Sequence, residues 1–362
     1  MAAAALMIDY VLVAAVGISA GVGALISAVP SLQPYTLVLC VGILAIITLV
    51  NLRGVRETAL AFLLPTYLFV GSLLSAILAG AFKTILTGGH PTPIVAPPPA
   101  ALPTVSSASV WMLLLFFSNG CTAMTGVEAV SNGVPAFREP AVRNAQRTHT
   151  AIIAILIAML AGVAILVRAY GISATEPGLP GYQSVLSMLV AAVAGRGWFY
   201  YVTIGSVLFV LALSANTGFA DFPRLCKGLA QNGFLPQWFE FRGQRLVHSH
   251  GVVFLAALTG ILLVVFRGVT DRLIPLFPIG AFLAFTLSQA GMVAHWKRVG
   301  GKGAARSMIV NALGAVGTAT TLIVELVAKF ASGAWVSAFL IAGLVAIMTW
   351  VRRRRLRMDR LG

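Results

Sequence analysis

Acidic side chains are scarce in this chain: 10 Asp and Glu stand against 25 Lys and Arg in 362 residues. Charged residues of either sign make up 10% of the sequence, while 59% is hydrophobic. A soluble domain of this length needs far more polar surface, so that class is excluded. Cysteine is rare as well. Cys40, Cys121 and Cys226 lie scattered, with no disulfide framework and no metal spacing, and they read as small apolar fillers. The sequence has no glycine-rich phosphate loop, no nucleophile elbow and no His/Cys metal pattern, so neither an enzyme nor a cofactor is expected. The N-terminus has no basic leader region, carries Asp9 early and stays apolar from Ala2 to Ala28. That is too long for a signal peptide and long enough to span a bilayer.

What is present in quantity is apolar sequence in long runs. A spanning helix needs about 20 mostly apolar residues. Ten stretches qualify: 3–28, 35–51, 59–82, 109–132, 148–170, 197–219, 250–267, 272–295, 307–328 and 334–351. The joints between them are polar or rich in Pro and Gly. The fold class expected is therefore all-α, a polytopic membrane bundle of ten transmembrane helices.

The net charge of +15 would suit a nucleic-acid binder, but the basic residues sit in the joints, where a membrane protein carries them on its cytoplasmic face. With the N-terminus inside, only Lys83, Arg168, Arg196, Arg267, Arg272 and Lys329 fall on the far side. This bias predicts two cytoplasmic termini in a plasma membrane, with a lipid bilayer rather than nucleic acid as the surrounding partner.

The fourth stretch carries the chemistry. After the apolar run from Trp111 to Phe117 come Ser118, Asn119, Gly120, Thr122, Thr125, Gly126, Glu128, Ser131, Asn132 and Gly133. Two glycines with hydroxyls and a carboxylate make a poor continuous helix. Broken backbone at membrane depth persists only where it is buried in protein or lines a cavity, and half-helix ends there offer free N–H and C=O groups to a solute. Glu128 sharpens the point, since a carboxylate costs about 2.5–3.5 kcal/mol at mid-membrane. The plainer reading makes it a cap near the end of the span. Asp9 and Tyr10 form a second constellation early in the first span: a carboxylate beside a phenol suits a cation or a proton, or else Asp9 is a solvated helix end.

Other features read plainly. The proline-rich segment 83–108 is an extended spacer, and 220–231 suits a short helix on the membrane surface. Arg352–Arg355 is a stop-transfer anchor, and Ser214, Asn216, Thr217 and Asp221 read as helix–helix hydrogen-bonding groups. Glu325 and Lys329 make an i,i+4 pair at a helix end, and Pro275 and Pro278 predict a kink.

Thr125-Gly126-Val127-Glu128-Ala129-Val130-Ser131-Asn132-Gly133-Val134-Pro135-Ala136-Phe137, followed by Glu139-Pro140 and Arg143-Asn144-Ala145, resembles the amino acid–polyamine–organocation (APC) superfamily. The similarity is to its branch of permeases related to KUP-type potassium importers. Ala220-Asp221-Phe222-Pro223-Arg224-Leu225 with Gly233-Phe234-Leu235-Pro236, and Ser288-Gln289-Ala290-Gly291-Met292-Val293 with His295-Trp296, look like the same branch.

The resemblance implies a LeuT-type bundle of twelve spans. Aligned on the broken helix, this chain's ten spans would be helices 3–12 of that family, with the first two absent. A single permease domain over 1–362 is then expected. Within it, 3–82 is the remainder of the first inverted repeat, 109–295 the second repeat, 307–351 two peripheral helices and 352–362 a basic tail.

It further implies secondary active transport, proton-coupled import of an amino acid-like solute or potassium, with a homodimer as the assembly. Asp9, Tyr10, Thr122, Thr125, Gly126 and Glu128 would line the path. Asp9, Tyr10, Thr125 and Glu128 match the potassium-binding positions of the branch, although a hydroxyl usual just after the pair is replaced by Val13. A non-transporting membrane scaffold is the alternative.

Overall fold

A computed structural model describes the chain except residues 54–58, 100–108, 124, 127–129, 131–132, 135–136, 176–180, 241–248, 302 and 359–362. The described residues form helices and connecting turns, without strands. The helices are α1 (Ala2–Ala28), α2 (Thr36–Leu52), α3 (Ala59–Leu86), α4 (Val110–Thr122), α5 (Ala141–Ala169), α6 (Val185–Ala194), α7 (Trp198–Gln231), α8 (Ser249–Val265), α9 (Phe277–Val299), α10 (Ala304–Ala328) and α11 (Trp335–Met358).

Among the described residues, eight helices are long and apolar enough to cross a membrane. The described residues of the other two expected spans include shorter helices: α4 has 13 residues and α8 has 17.

α1 is the axis of the bundle. Its sequence is apolar all round and rich in Ala, Gly and Ser, which suits a helix buried on every side. With lipid as apolar as any side chain, such helices are held by close packing of small residues. Gly218 of α7 is pressed under α1, where a Cβ would lie 2.9 Å from the Tyr10 carbonyl oxygen. Gly280 of α9 meets α1 on another side, its Cβ position 2.9 Å from the Ala5 carbonyl oxygen. α5 and α10 are instead peripheral. The outward face of α10 carries Ile309, Leu313, Val316 and Ile323 exposed, a surface that hydrocarbon solvates without cost.

The structure corrects one expectation and refines two others. The segment 220–231 is no separate surface helix. It is the last part of α7, which runs unbroken for 34 residues. Phe222, Cys226, Leu229 and Ala230 are buried there, with Phe222 stacked on Phe254 of α8, and the helix continues past Pro223. Pro275 and Pro278 fall where the span Thr270–Val299 changes helix type. Pro275 sits in a 3-10 turn at Ile274–Leu276, after a single helical turn at Thr270–Leu273, and Pro278 lies in the first turn of α9. Proline is tolerated there because the first-turn N–H groups have no partner in the helix. The segment 83–108 is more than a spacer as far as it is described: the Ile94 N–H donates to the Ala192 carbonyl at 2.8 Å.

That bond belongs to α6, which composition alone hides because ten residues are too few to span. Ser184 caps it, and its own N–H donates to Ser27 Oγ of α1 at 2.8 Å. Lys83 Nζ at the end of α3 donates to the Val193 carbonyl at 2.7 Å, the place where a helix end welcomes a cation. The buried Tyr200 hydroxyl shares a hydrogen bond with Ser187 Oγ at 2.6 Å and donates to the Ser27 carbonyl at 3.3 Å.

Candidate functional site

The expected break in the fourth stretch is present in the backbone. α4 stops at Thr122, and Gly126 adopts φ 92°, a left-handed conformation that side chains with Cβ rarely take. The turn between them is tied locally. The Thr125 N–H and its Oγ1–H both donate to the Thr122 carbonyl, at 3.3 Å and 2.7 Å. Glu128 lies outside the described residues, as do Ser131 and Asn132.

Asp9 and Tyr10 are on α1, where that helix is squeezed between α7 and α9. The Asp9 side chain is 2% exposed, packed beside Gly280, which removes the solvated-end reading. Tyr10 is half-buried, its backbone against Gly218. The two constellations have separate anchors: Asp9 and Tyr10 in the α1–α7–α9 contact, Thr122 and Thr125 at the end of α4.

A charged group is nevertheless held at the end of α4. Lys329 Nζ, directly after α10, lies 2.9 Å from Glu325 Oε2 and donates to Thr122 Oγ1 at 3.1 Å. The two side chains are 3% and 0% exposed. Ser118 stands beside Glu325, and Cys121 lies in the field of both charges.

The sequence predicts Glu325 and Lys329 as a pair at a helix end. The i,i+4 geometry is as expected, but the pair is interior and joined to α4. The signal was available: a Glu inside an otherwise apolar run is expensive and marks a polar neighbourhood.

Two cavities border this region. One, of about 480 Å³, is lined by Asn119, Thr122, Ala123, Asp271 and Lys329 among others. A second, of about 460 Å³, has Asp271 in common with it and is lined also by Ser19, Tyr182, Arg267 and Arg272. Burial, and then the Asp271 carboxylate, push the Tyr182 phenol upward from its usual range. Among the described residues, no group of three or more His, Cys, Asp or Glu converges as a metal site.

The arrangement joins an interrupted helix, a buried carboxylate on the central helix, and two cavities whose walls carry charged and hydroxyl side chains. Broken spans and intramembrane ionisable groups of this kind line solute paths. The chain is 40% identical over 336 residues to the potassium transporter KimA of Bacillus subtilis strain 168, covering 91% of this chain and 53% of that protein. It thus spans about half the length of the curated relative it matches. A profile of the family described as amino acid permease matches residues 1–351. The chain is a multi-pass membrane protein that belongs to the amino acid permease family of the APC superfamily.

Proposed function

We propose that this chain serves a secondary active permease that imports potassium with a coupling proton, and that Asp9, Tyr10, Thr122, Thr125, Gly126 and Glu128 line its path. The observation that carries the reading is the 40% identity to a potassium transporter across nearly the whole chain. Support comes from the two constellations that match the branch's potassium positions. A buried carboxylate, a phenol, hydroxyls and unwound carbonyls are the hard oxygen donors that replace a cation's hydration shell. Asp9 also offers a place for the coupling proton, since a carboxylate enclosed in a membrane bundle is paired, protonated or engaged with an ion.

The same proposal takes in the topology read from the basic residues: ten spans, both termini cytoplasmic in a plasma membrane, the two repeat portions 3–82 and 109–295, the peripheral pair 307–351 and the tail 352–362. A homodimer is its proposed assembly.

The family description favours a second reading, an amino acid-like solute on the same path. The deciding experiment expresses the complete reading frame in cells deficient in potassium uptake. Rubidium and labelled amino acids are then measured separately, with membrane quantity checked by immunoblot. Rubidium uptake that falls in Glu128→Gln supports the cation reading. Uptake of an amino acid alone replaces it with the second. No uptake of either, at normal membrane quantity, leaves the membrane scaffold.

A further inference from the structure

We propose that Lys329 is a positioning residue for the break in α4: its ammonium, neutralised by Glu325, holds Thr122 and so fixes where that helix ends. The proposal deepens the reading of Thr122 and Thr125 as solute-facing groups, and rests on it for its transport consequence alone.

Lys329 is anchored at both ends. Its backbone ends α10 and opens the π turn Phe330–Ala334, with the N–H groups of Ser332 and Ala334 both donating to its carbonyl at 3.0 and 3.1 Å. Its ammonium has two partners in different elements, Glu325 on its own helix and Thr122 on α4. Neutralising the charge needs only the first, which the i,i+4 spacing supplies within α10. The bond to Thr122 is therefore an additional link, and it crosses from one helix to the other.

The link falls at a sensitive place. Thr122 is the last residue of α4, where unsatisfied carbonyls carry partial negative charge that a cation complements. The Thr122 carbonyl also receives both donors of Thr125. A displacement of Thr122 is thus passed to Thr125 and to the left-handed Gly126. On its other side, the latch borders the cavity to which Asn119 and Asp271 contribute beside Leu115 and Ile274.

Cys121 gives a direct reporter. It is buried, one residue before Thr122, beside both charges. In a parent carrying Cys40→Ala and Cys226→Ala, the rate of Cys121 alkylation by N-ethylmaleimide is measured in membranes. The neutral double variant Glu325→Gln with Lys329→Met keeps similar bulk and strands no charge, but it also removes the two charges acting on the Cys121 thiol, so Thr122→Val is the deciding variant. Thr122→Val keeps the ion pair and removes the acceptor, together with the hydroxyl's long 3.4 Å bond to the Ser118 carbonyl within α4, so it tests the same link should the double variant fold poorly.

Both are expected to react about tenfold faster than the parent, the range expected on losing a hydrogen bond to a charged group. Lys329→Arg, which can still donate, is expected to stay near the parent rate. Rates within about twofold of the parent in Thr122→Val, in protein that keeps its thermal midpoint, overturn the proposal and reduce Lys329 to the mate of a buried carboxylate.

The transport arm follows half-saturation for rubidium. Thr122→Val and the double variant should raise it about tenfold with a smaller change in maximal rate, as expected when a binding geometry rather than the amount of protein is altered. Absence of uptake in the parent itself rejects the potassium reading and leaves the alkylation result to decide on the latch.

Discussion

Gly218 of α7 lies directly against the Tyr10 carbonyl of α1, with room for a hydrogen and none for a methyl group: a Cβ at this position would stand 2.9 Å from the oxygen. The obstacle is backbone, which cannot turn aside as a side-chain end can. Gly218→Ala must therefore push α7 from α1 at the level of Asp9 and Tyr10. Overpacking of this kind costs about 1–3 kcal/mol. The expected result is a lower thermal midpoint of the detergent-solubilised protein. Gly205→Ala on the same helix, where nothing lies within 4 Å, serves as the control and is expected to change little. Equal midpoints for the two variants would mean that the helices do not pack this closely.

The short helix α6 gives a second prediction. Tyr200 is fully buried, and its hydroxyl joins α7 to Ser187 of α6 and to the end of α1. Tyr200→Phe keeps the ring and strands the buried Ser187 hydroxyl, a loss of about 1–3 kcal/mol. Lys83→Met removes the cation from the C-terminal end of α6 and should cost less, about 0.3–1 kcal/mol. Hydrogen exchange over Val185–Ala194 reads both changes, with faster exchange expected and the larger increase in Tyr200→Phe. Protection unchanged in both would show that apolar burial alone holds the helix.

How far the sequence exposed this architecture differs from element to element. Long apolar runs separated by basic joints gave the membrane helices, because length and hydrophobicity are what crossing a bilayer demands. The break after Thr122 was legible from glycines and hydroxyls placed where a continuous helix would not carry them. α6 was not legible, since its ten apolar residues are stabilised by Ser27, Lys83 and Tyr200, all distant in sequence. At the end of α7, Lys227 and Arg224 mask the apolar face that packs on α8, so the sequence there has the pattern of a surface helix. Glu325 and Lys329 were found as a pair but not placed, since spacing along one helix says nothing about Thr122 on another. The close approach of α1 to Gly218 and Gly280 is likewise a relation between distant segments.

Arg355 separates an anchoring charge from a packing one. The sequence offers Arg352–Arg355 as equivalent lipid-facing cations, but Arg355 Nη1 donates to the Ala230 carbonyl near the end of α7 at 3.1 Å, and Arg352 lies 4.5 Å over the Phe234 ring. Arg353 is exposed. Arg355→Ala is therefore expected to lower stability by about 0.5–1.5 kcal/mol through the lost carbonyl bond, and Arg353→Ala by almost nothing. Denaturant or thermal midpoints of the two single variants, compared at equal lipid content, make the test. A larger loss in Arg353→Ala would return the whole run to the role of a headgroup anchor.

Asp9 carries the sharpest functional prediction. It is enclosed on the central helix, between Gly280 and the level of Tyr10, where Asn fits the same space without charge. If its carboxylate serves a cation and a proton, Asp9→Asn should leave the protein in the membrane in normal quantity. Rubidium uptake should fall by about tenfold or more, since each 1.4 kcal/mol of lost coordination is a factor of ten. What remains should no longer respond to an imposed proton gradient, because Asn cannot take up a proton. Asp9→Glu is the companion: it keeps the charge but lengthens the arm against the crowded Gly280, so partial uptake with retained proton dependence is expected. Retention of full, gradient-driven uptake in Asp9→Asn would remove this residue from the path and leave the end of α4 as the sole candidate.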